Sequence, residues 1–223
     1  MVVTFVLSNQ TKDKIMGKIL FVLGKMGSGK TTAIQQFLAS GVRTFTETDS
    51  KKHLSLKLNR KAEVYSSYDF DGFKVAAAGT YDKQEPSRQG CDVFYFANTQ
   101  ELIAFYTFLT KTHDLVIIDG MDIRPSVIQG IKNDFSFIYF DSTDEQCFES
   151  RAARRSNRQS RSFDEQKLKK AFEKTEKHRQ KLTDFGLAEM TVTRDTAVDG
   201  LNTVMAMRKR VIEITPSMWP VKS

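Results

Sequence analysis

Hydrophobic positions along the chain fall into two kinds of block. In one kind apolar residues follow one another with at most one polar residue among them, as in ILFVL at 19–23, LVII at 115–118 and FSFIYF at 135–140. In the other they recur every third or fourth residue. Short unbroken apolar runs mark strands covered on both faces, and the longer spacing marks helices with one buried stripe. The pattern predicts strands at 18–24, 42–47, near 63–67, 73–78, 114–120, 135–141 and 188–193. It predicts helices at 30–39, 98–110, near 124–132, through 143–184 with a break around 156–162, and at 196–209. Buried strands alternating with helices argue an α/β fold of three layers, a mainly parallel central sheet with helices on both faces.

A chain of 223 residues with 40% hydrophobic content can bury one sizeable core. The expected domain spans 16–210, followed by an irregular tail at 211–223 that contains Pro216 and Pro220. Residues 1–15 precede a second methionine, Met16, and are either a dispensable extension or an edge strand at 2–7. The two cysteines, Cys91 and Cys147, form no paired spacing. No charged and apolar leader opens the chain, and no run approaches the ~20 apolar residues that cross a bilayer. The expectation is a cytoplasmic protein without a membrane partner.

The net charge of +7 is local in origin. Residues 151–181 hold twelve Lys or Arg against four Asp or Glu, a net +8 that leaves −1 for the rest. Such a segment either faces a polyanion, nucleotide phosphates or a nucleic-acid backbone, or is a solvated helix face.

The first apolar run ends in GKMGSGKTT. Gly24, Lys25, Met26, Gly27, Ser28, Gly29, Lys30 and Thr31 fit G-x-x-x-x-G-K-[ST] between a buried strand and a helix. Glycines let successive backbone N–H groups turn toward one phosphate, and the helix beginning at Lys30 adds the positive end of its dipole. Gly24, Met26, Gly27, Ser28, Gly29, Lys30, Thr31 and Thr32 are therefore candidate ATP contacts. Lys30 is placed to bridge the β and γ phosphates, and Thr31 to ligate Mg²⁺. A second Mg²⁺ residue is expected at the tip of another buried strand, and Asp119, after LVII, fills that place. Gly120 and Met121 follow it where a water-activating Glu would stand, which favours transfer to an acceptor over hydrolysis.

Arg151, Arg154, Arg155, Arg158 and Arg161 crowd the next basic segment, the first four at i, i+3, i+4 and i+7. A helix carries such a stripe most readily opposite an anion, and guanidinium forks match phosphate oxygens. The reading is a lid at about 151–162, with Arg151, Arg155 and Arg158 acting on the transferring phosphoryl group and Arg154 on the nucleotide; the alternative is a solvated face. In the helix that follows, Leu168, Ala171, Phe172, Thr175 and Leu182 form the inward stripe. Lys167, Lys170, Lys174, Lys177 and Lys181 point outward, either solvated or against a DNA backbone.

With the glycine loop, Asp119, the arginine segment and the turn MTVTRDT at 190–196, residues 18–209 resemble the nucleoside monophosphate kinase superfamily, nearest the thymidylate kinase group. The resemblance implies ATP and Mg²⁺ as cofactors and an adenine seat at the turn, with Thr193. Two departures argue against a plain dTMP pocket: Asp119 is followed by Gly120, Met121, Asp122 and Arg124, and the second strand by Thr46, Glu47, Thr48 and Asp49. Residues 68–92 instead resemble bacteriophage kinases that phosphorylate 5-hydroxymethyluracil within DNA, through Gly79, Tyr81, Asp82, Gly90 and Asp92. That likeness implies DNA with a modified thymine as partner, host cytoplasm as location, and Asp49, Gly79, Tyr81, Asp82, Asp92 and Arg124 as acceptor-side residues. Asp92, Asp49 or Asp119 would take the proton from the attacking hydroxyl. The base would be extruded from the stack, with Tyr81 or a Phe to stack on. Alternatives remain: an exposed polar hairpin with Tyr81 packed on the sheet, free deoxynucleoside monophosphates as acceptors, and a nucleotide switch or packaging ATPase subunit.

Overall fold

A computed structural model describes residues 18–45, 65–79, 81, 99–119, 125–131, 135–156 and 165–214. The three apolar runs lie side by side at the centre. β1 (Ile19–Gly24) pairs in parallel with β5 (Leu115–Asp119) on one side and β6 (Phe135–Phe140) on the other. With β2 (Val42–Phe45), β3 (Tyr65–Phe70), β4 (Phe73–Ala78) and β7 (Ala188–Val192), they form a seven-stranded sheet in the order β2-β3-β4-β5-β1-β6-β7. The β2–β3 and β3–β4 pairs are antiparallel and the rest parallel.

Alternate residues of each central strand serve opposite layers. Leu20 and Val22 join a cluster with α1 (Lys30–Leu38) and α6 (Ala197–Ile214), while Ile19, Phe21 and Leu23 join one with α2 (Thr99–Thr112), α3 (Pro125–Gly130) and Leu182 of α5 (Glu165–Asp184). The expected three-layer α/β fold is present. Every residue of β1, β5 and β6 is buried, so these strands read as nearly continuous apolar runs.

Two expected boundaries shift. The last helix, expected at 196–209, runs on to Ile214, into the tail that was expected to be irregular. The strand placed near 63–67 runs over Tyr65–Phe70, because Asp71 (φ 55) and Gly72 (φ 84) form a two-residue hairpin turn with both angles positive. Asp-Gly supplies such a turn at low cost, and Phe70 pairs with Phe73 across it. The strand beside β5 is therefore β4. β2 stands at the outer edge, four strand spacings from β1, or roughly 19 Å.

The helical stretch after β6 divides into α4 (Asp144–Ser156) and α5. Thr143 and Gln146 cap α4 reciprocally, each side-chain oxygen accepting the other's backbone N–H at 3.2 and 3.1 Å. The expected alternation along α5 holds. Leu168, Phe172 and Leu182 are buried, and Lys167, Lys170, Lys174, Lys177 and Lys181 exposed. Two inward polar residues were not foreseen: the Tyr139 hydroxyl donates to Glu176, and Arg179 lies 3.8 Å from the Tyr139 ring centroid while donating to Glu189 at 2.8 Å. No described helix is long and apolar enough to cross a membrane.

Candidate active site

The glycine loop leaves β1 at the carboxyl edge of the sheet and enters α1 through Gly29, whose φ of 99° is left-handed. Gly27 (φ 93) is held equally tightly: a Cβ there would lie 2.6 Å from the Cys147 carbonyl oxygen of α4 and 3.3 Å from Arg151 Cγ. The lack of side chains thus lets α4 close onto the loop as well as leaving room for phosphate. Ser28 N–H donates to Lys25 O at 3.2 Å, closing the turn. The Lys30 ammonium curls under it and donates to Gly24 O at 2.8 Å and Lys25 O at 3.0 Å.

Thr31, in the first turn of α1, donates from Oγ1 to Asp119 Oδ2 at 2.7 Å. Asp119 is the last residue of β5 and is 6% exposed. A hydroxyl and a carboxylate joined at the strand edge are the donor set Mg²⁺ accepts, since it takes few protein oxygens and completes its shell with water and phosphate. No cluster of three or more His, Cys, Asp or Glu side chains suited to a metal occurs among the described residues.

Lys25 braces the loop from outside. Its ammonium donates to Asp144 at 2.7 Å and Ser142 O at 3.2 Å, and stands 5.7 Å from the Phe172 ring centroid. Burial pulls this ammonium down, and the Asp144 hydrogen bond and charge outweigh it, leaving the pKa above its ordinary value. The loop is thereby tied to both helical arms, α4 through Asp144 and α5 through Phe172. Cys147, buried beneath, has its thiol pushed up by that burial.

Arg194, in the turn from β7 to α6, reaches across and donates to Gly27 O at 3.0 Å and Ser150 Oγ at 2.9 Å. Its side chain comes within 3.4 Å of where a Cβ of Gly29 would stand. Beside it opens a pocket of ≈ 540 Å³ lined by Gly27, Gly29, Thr32, Gln36, Arg194 and Asp195, among others. One wall is the phosphate-type loop and the other the turn where a base was expected.

The structure brings Gly24, Gly27, Ser28, Gly29, Lys30, Thr31, Thr32, Asp119 and Arg151 together at this edge. Met26 belongs to the loop and is 51% exposed. Thr193 bonds Thr196 through its backbone N–H at 3.0 Å, so the residue of that turn that reaches the loop is Arg194. Arg154 and Arg155 lie on α4, their side chains outside the described residues, as are Arg158, Arg161, Asp49, Asp82, Gly90, Asp92 and Arg124. Gly79 (φ 104) ends β4. Tyr81 is 6% exposed, within the cluster that holds α1, and its carbonyl accepts from Gln35 at 3.4 Å. Its ring packs in the core rather than offering a face for a base. Arg194, Gln36, Ser150 and Asp195 were missed, although Arg194 and Asp195 stand inside MTVTRDT, where a charged pair just before a helix was the available signal.

No protein-family model and no curated protein matches the chain. Among solved structures, a gluconokinase from Sinorhizobium meliloti 1021 is similar over 93% of this chain and 100% of that one, at 11% identity and a TM-score of 0.39. At that level no residue is transferred, and the site is read from its own geometry.

Proposed function

We propose that the protein is an ATP-dependent phosphotransferase. The observation that carries this reading is the Thr31–Asp119 hydrogen bond of 2.7 Å beside a left-handed glycine loop that opens a helix. Backbone N–H groups of 24–31 and the α1 dipole would hold the phosphates, and the pocket beside Arg194 would hold the base. Lys30 would exchange its carbonyl partners for phosphate oxygens. Thr31 and Asp119 would hold Mg²⁺, which offsets charge on the phosphates when bound. Arg151, whose Cγ would lie 3.3 Å from a Cβ at Gly27, is assigned the transferring group together with Arg155 and Arg158, and Arg154 the nucleotide.

The proposed acceptor is the hydroxymethyl group of 5-hydroxymethyluracil in DNA, as the likeness of residues 68–92 suggests. The sheet order supports an acceptor side after β4. Gly79 and Tyr81 leave that strand next to β5 and α1, and the segment continues through Asp82 to Asp92. Asp49 and Arg124 complete the proposed acceptor set. The hydroxyl oxygen attacks the γ-phosphorus, the bond to the β-γ bridging oxygen breaks, ADP departs, and a carboxylate takes the hydroxyl proton.

The test is label transfer from γ-labelled ATP, offered hydroxymethyluracil DNA, unmodified DNA and free deoxynucleoside monophosphates side by side. Label on the modified DNA alone is the expected result. Label on the free nucleotides alone would favour a thymidylate-type kinase, and release of phosphate with no acceptor would overturn phosphoryl transfer.

A further inference from the structure

Arg194 has a task beyond lining the pocket, and it starts from a rigid support. β7 is the edge strand beside β6, Val192 O accepts from Asp141 N–H at 2.8 Å, and Thr193 N–H donates to Thr196 Oγ1 at 3.0 Å, which closes the turn. α6 then leaves that turn with Ala197, Leu201 and Val204 fully buried. From this support the Arg194 side chain lies along Gly29, its Cγ and Nε each 3.4 Å from where a Cβ would stand. Its bonds to Gly27 O at 3.0 Å and Ser150 Oγ at 2.9 Å both leave from Nη2. The two hydrogens of one nitrogen thus join the glycine loop to α4.

The docking of α4 is uneven along its length. Its apolar anchors come early: Cys147 is buried, and the Phe148 ring packs on Phe172 of α5 with centroids 5.4 Å apart. From Ser150 the helix reads SRAARRS, with no large apolar residue and with Ala152 and Ala153 exposed. The position of this half against the loop therefore rests on polar contacts. At about 100° per residue, Asp144, Cys147, Ser150 and Arg151 fall within an arc of about 120°. Each of the first three meets the loop or its brace. Asp144 accepts from Lys25, the Cys147 carbonyl abuts Gly27, and Ser150 accepts from Arg194. Arg151 follows Ser150 directly, with its Cγ 3.3 Å from where a Cβ of Gly27 would stand.

We infer that Arg194 is a positioning residue: by holding Ser150 against the glycine loop it sets Arg151 where the γ-phosphate of a bound nucleotide arrives. This rests on the proposed reading of Arg151 and adds a residue that acts through it. Two simpler roles for Arg194 lead to different behaviour. A contact with the base alone would affect every nucleotide alike. A direct contact with the γ-phosphate would need neither Ser150 nor Arg151.

The experiment is calorimetric titration of the full chain with Mg²⁺ and either ADP or β,γ-imido-ATP, which requires no acceptor. The ratio of the two dissociation constants largely cancels the base, ribose and inner phosphates and reads the γ-phosphate. The proteins are wild type, Ser150→Ala, Arg194→Gln, Arg151→Ala, and each of the first two variants combined with Arg151→Ala. Arg151→Ala is expected to lower the preference for the imido analogue about tenfold, as the loss of one charge-assisted contact would. Ser150→Ala and Arg194→Gln should each lower it about threefold, and by nothing further once Arg151 is gone, as residues acting through one another do. Ser150→Ala keeps the Arg194 charge, so it carries the test if Arg194→Gln loses ADP as well. Equal losses of ADP and analogue affinity in both single variants, or an effect that persists in full beside Arg151→Ala, would overturn the inference and leave the phosphotransferase reading standing. A ratio unchanged by Arg151→Ala would remove Arg151 from the γ-phosphate and the inference with it. Failure of wild type to bind either nucleotide would instead overturn the phosphotransferase reading itself, and the inference would fall with that.

Discussion

At the scale of single residues, the glycine loop is shaped by what its neighbours need. Gly27 accommodates the Cys147 carbonyl, and Gly29 accommodates Arg194. Lys30 has two tasks, bracing the loop through Gly24 O and Lys25 O and, in the proposed reaction, facing the phosphates. The second dominates any effect of its removal. A neutral-to-charged backbone hydrogen bond contributes about 1.5–3 kcal/mol at most, and water can replace it at a partly exposed ammonium. A donor aimed at developing charge is worth ~3–4 kcal/mol of transition-state stabilisation. Lys30→Ala is therefore expected to lower kcat by roughly 10²–10³ while the melting temperature moves by a few degrees. Single-turnover kinetics with a melting curve check this, and near-normal turnover would remove Lys30 from the reaction.

At the scale of elements, the loop, α4 and α5 form one mechanical unit. Lys25 holds Asp144 and Ser142, and α4 lies so close that Gly27 has no room for a methyl group. Gly27→Ala would combine a left-handed φ with an approach of 2.6 Å to backbone. Strain of this kind costs about 1–3 kcal/mol, and it is relieved only by pushing α4, with Arg151, off the loop. Chemical denaturation should show that destabilisation, and nucleotide affinity should fall with it; unchanged affinity would mean α4 has no part in forming the site. This coupling was not legible in the sequence, because a motif gives the spacing of glycines and not what packs on them. The helix starts were legible to within two or three residues, since caps such as Thr143 with Gln146 are local, whereas the last helix runs five residues past its expected end, to Ile214. The hairpin end at Phe70 was missed although Asp71-Gly72 encodes it, because the apolar pattern of 65–70 was read without its turn. Glu176 and Arg179 were missed for another reason: a helix stripe is defined by apolar residues, and ionic groups that turn inward to meet Tyr139 and Glu189 break the pattern.

At the scale of the whole molecule, the three-layer fold was legible because both faces of β1, β5 and β6 are buried, and a strand so placed has few polar positions. The sheet order was less so. Hydropathy does not say whether β2 or β4 lies beside β5, and that decides which loop borders the site. The far edge of the same sheet holds a group that couples folding to pH. His113, at the end of α2, meets Ser67 of β3 through Nε2 at 2.7 Å and Thr112 and Leu109 through Nδ1 at 2.9 and 3.3 Å, with Tyr65 packed edge-on. Burial holds its pKa below the ordinary value, with Lys74 adding to the shift and the Leu109 carbonyl and Asp114 opposing it. The unfolded chain, with an ordinary pKa of about 6.5, then binds the proton first as pH falls. Stability is therefore complete above about pH 6.5 and is lost progressively below it, the slope following the extra proton on the unfolded state. Carboxylates titrate near pH 4, so the window from pH 5 to 7 isolates histidine, and His113→Gln isolates this one among the three in the chain. Glutamine can still donate to Ser67, so the variant should fold, and its unfolding free energy should vary less between pH 5 and 7 than that of wild type. Parallel curves for the two proteins would show that His113 accepts a proton as readily folded as unfolded, and that the contact joining α2 to β3 is indifferent to charge.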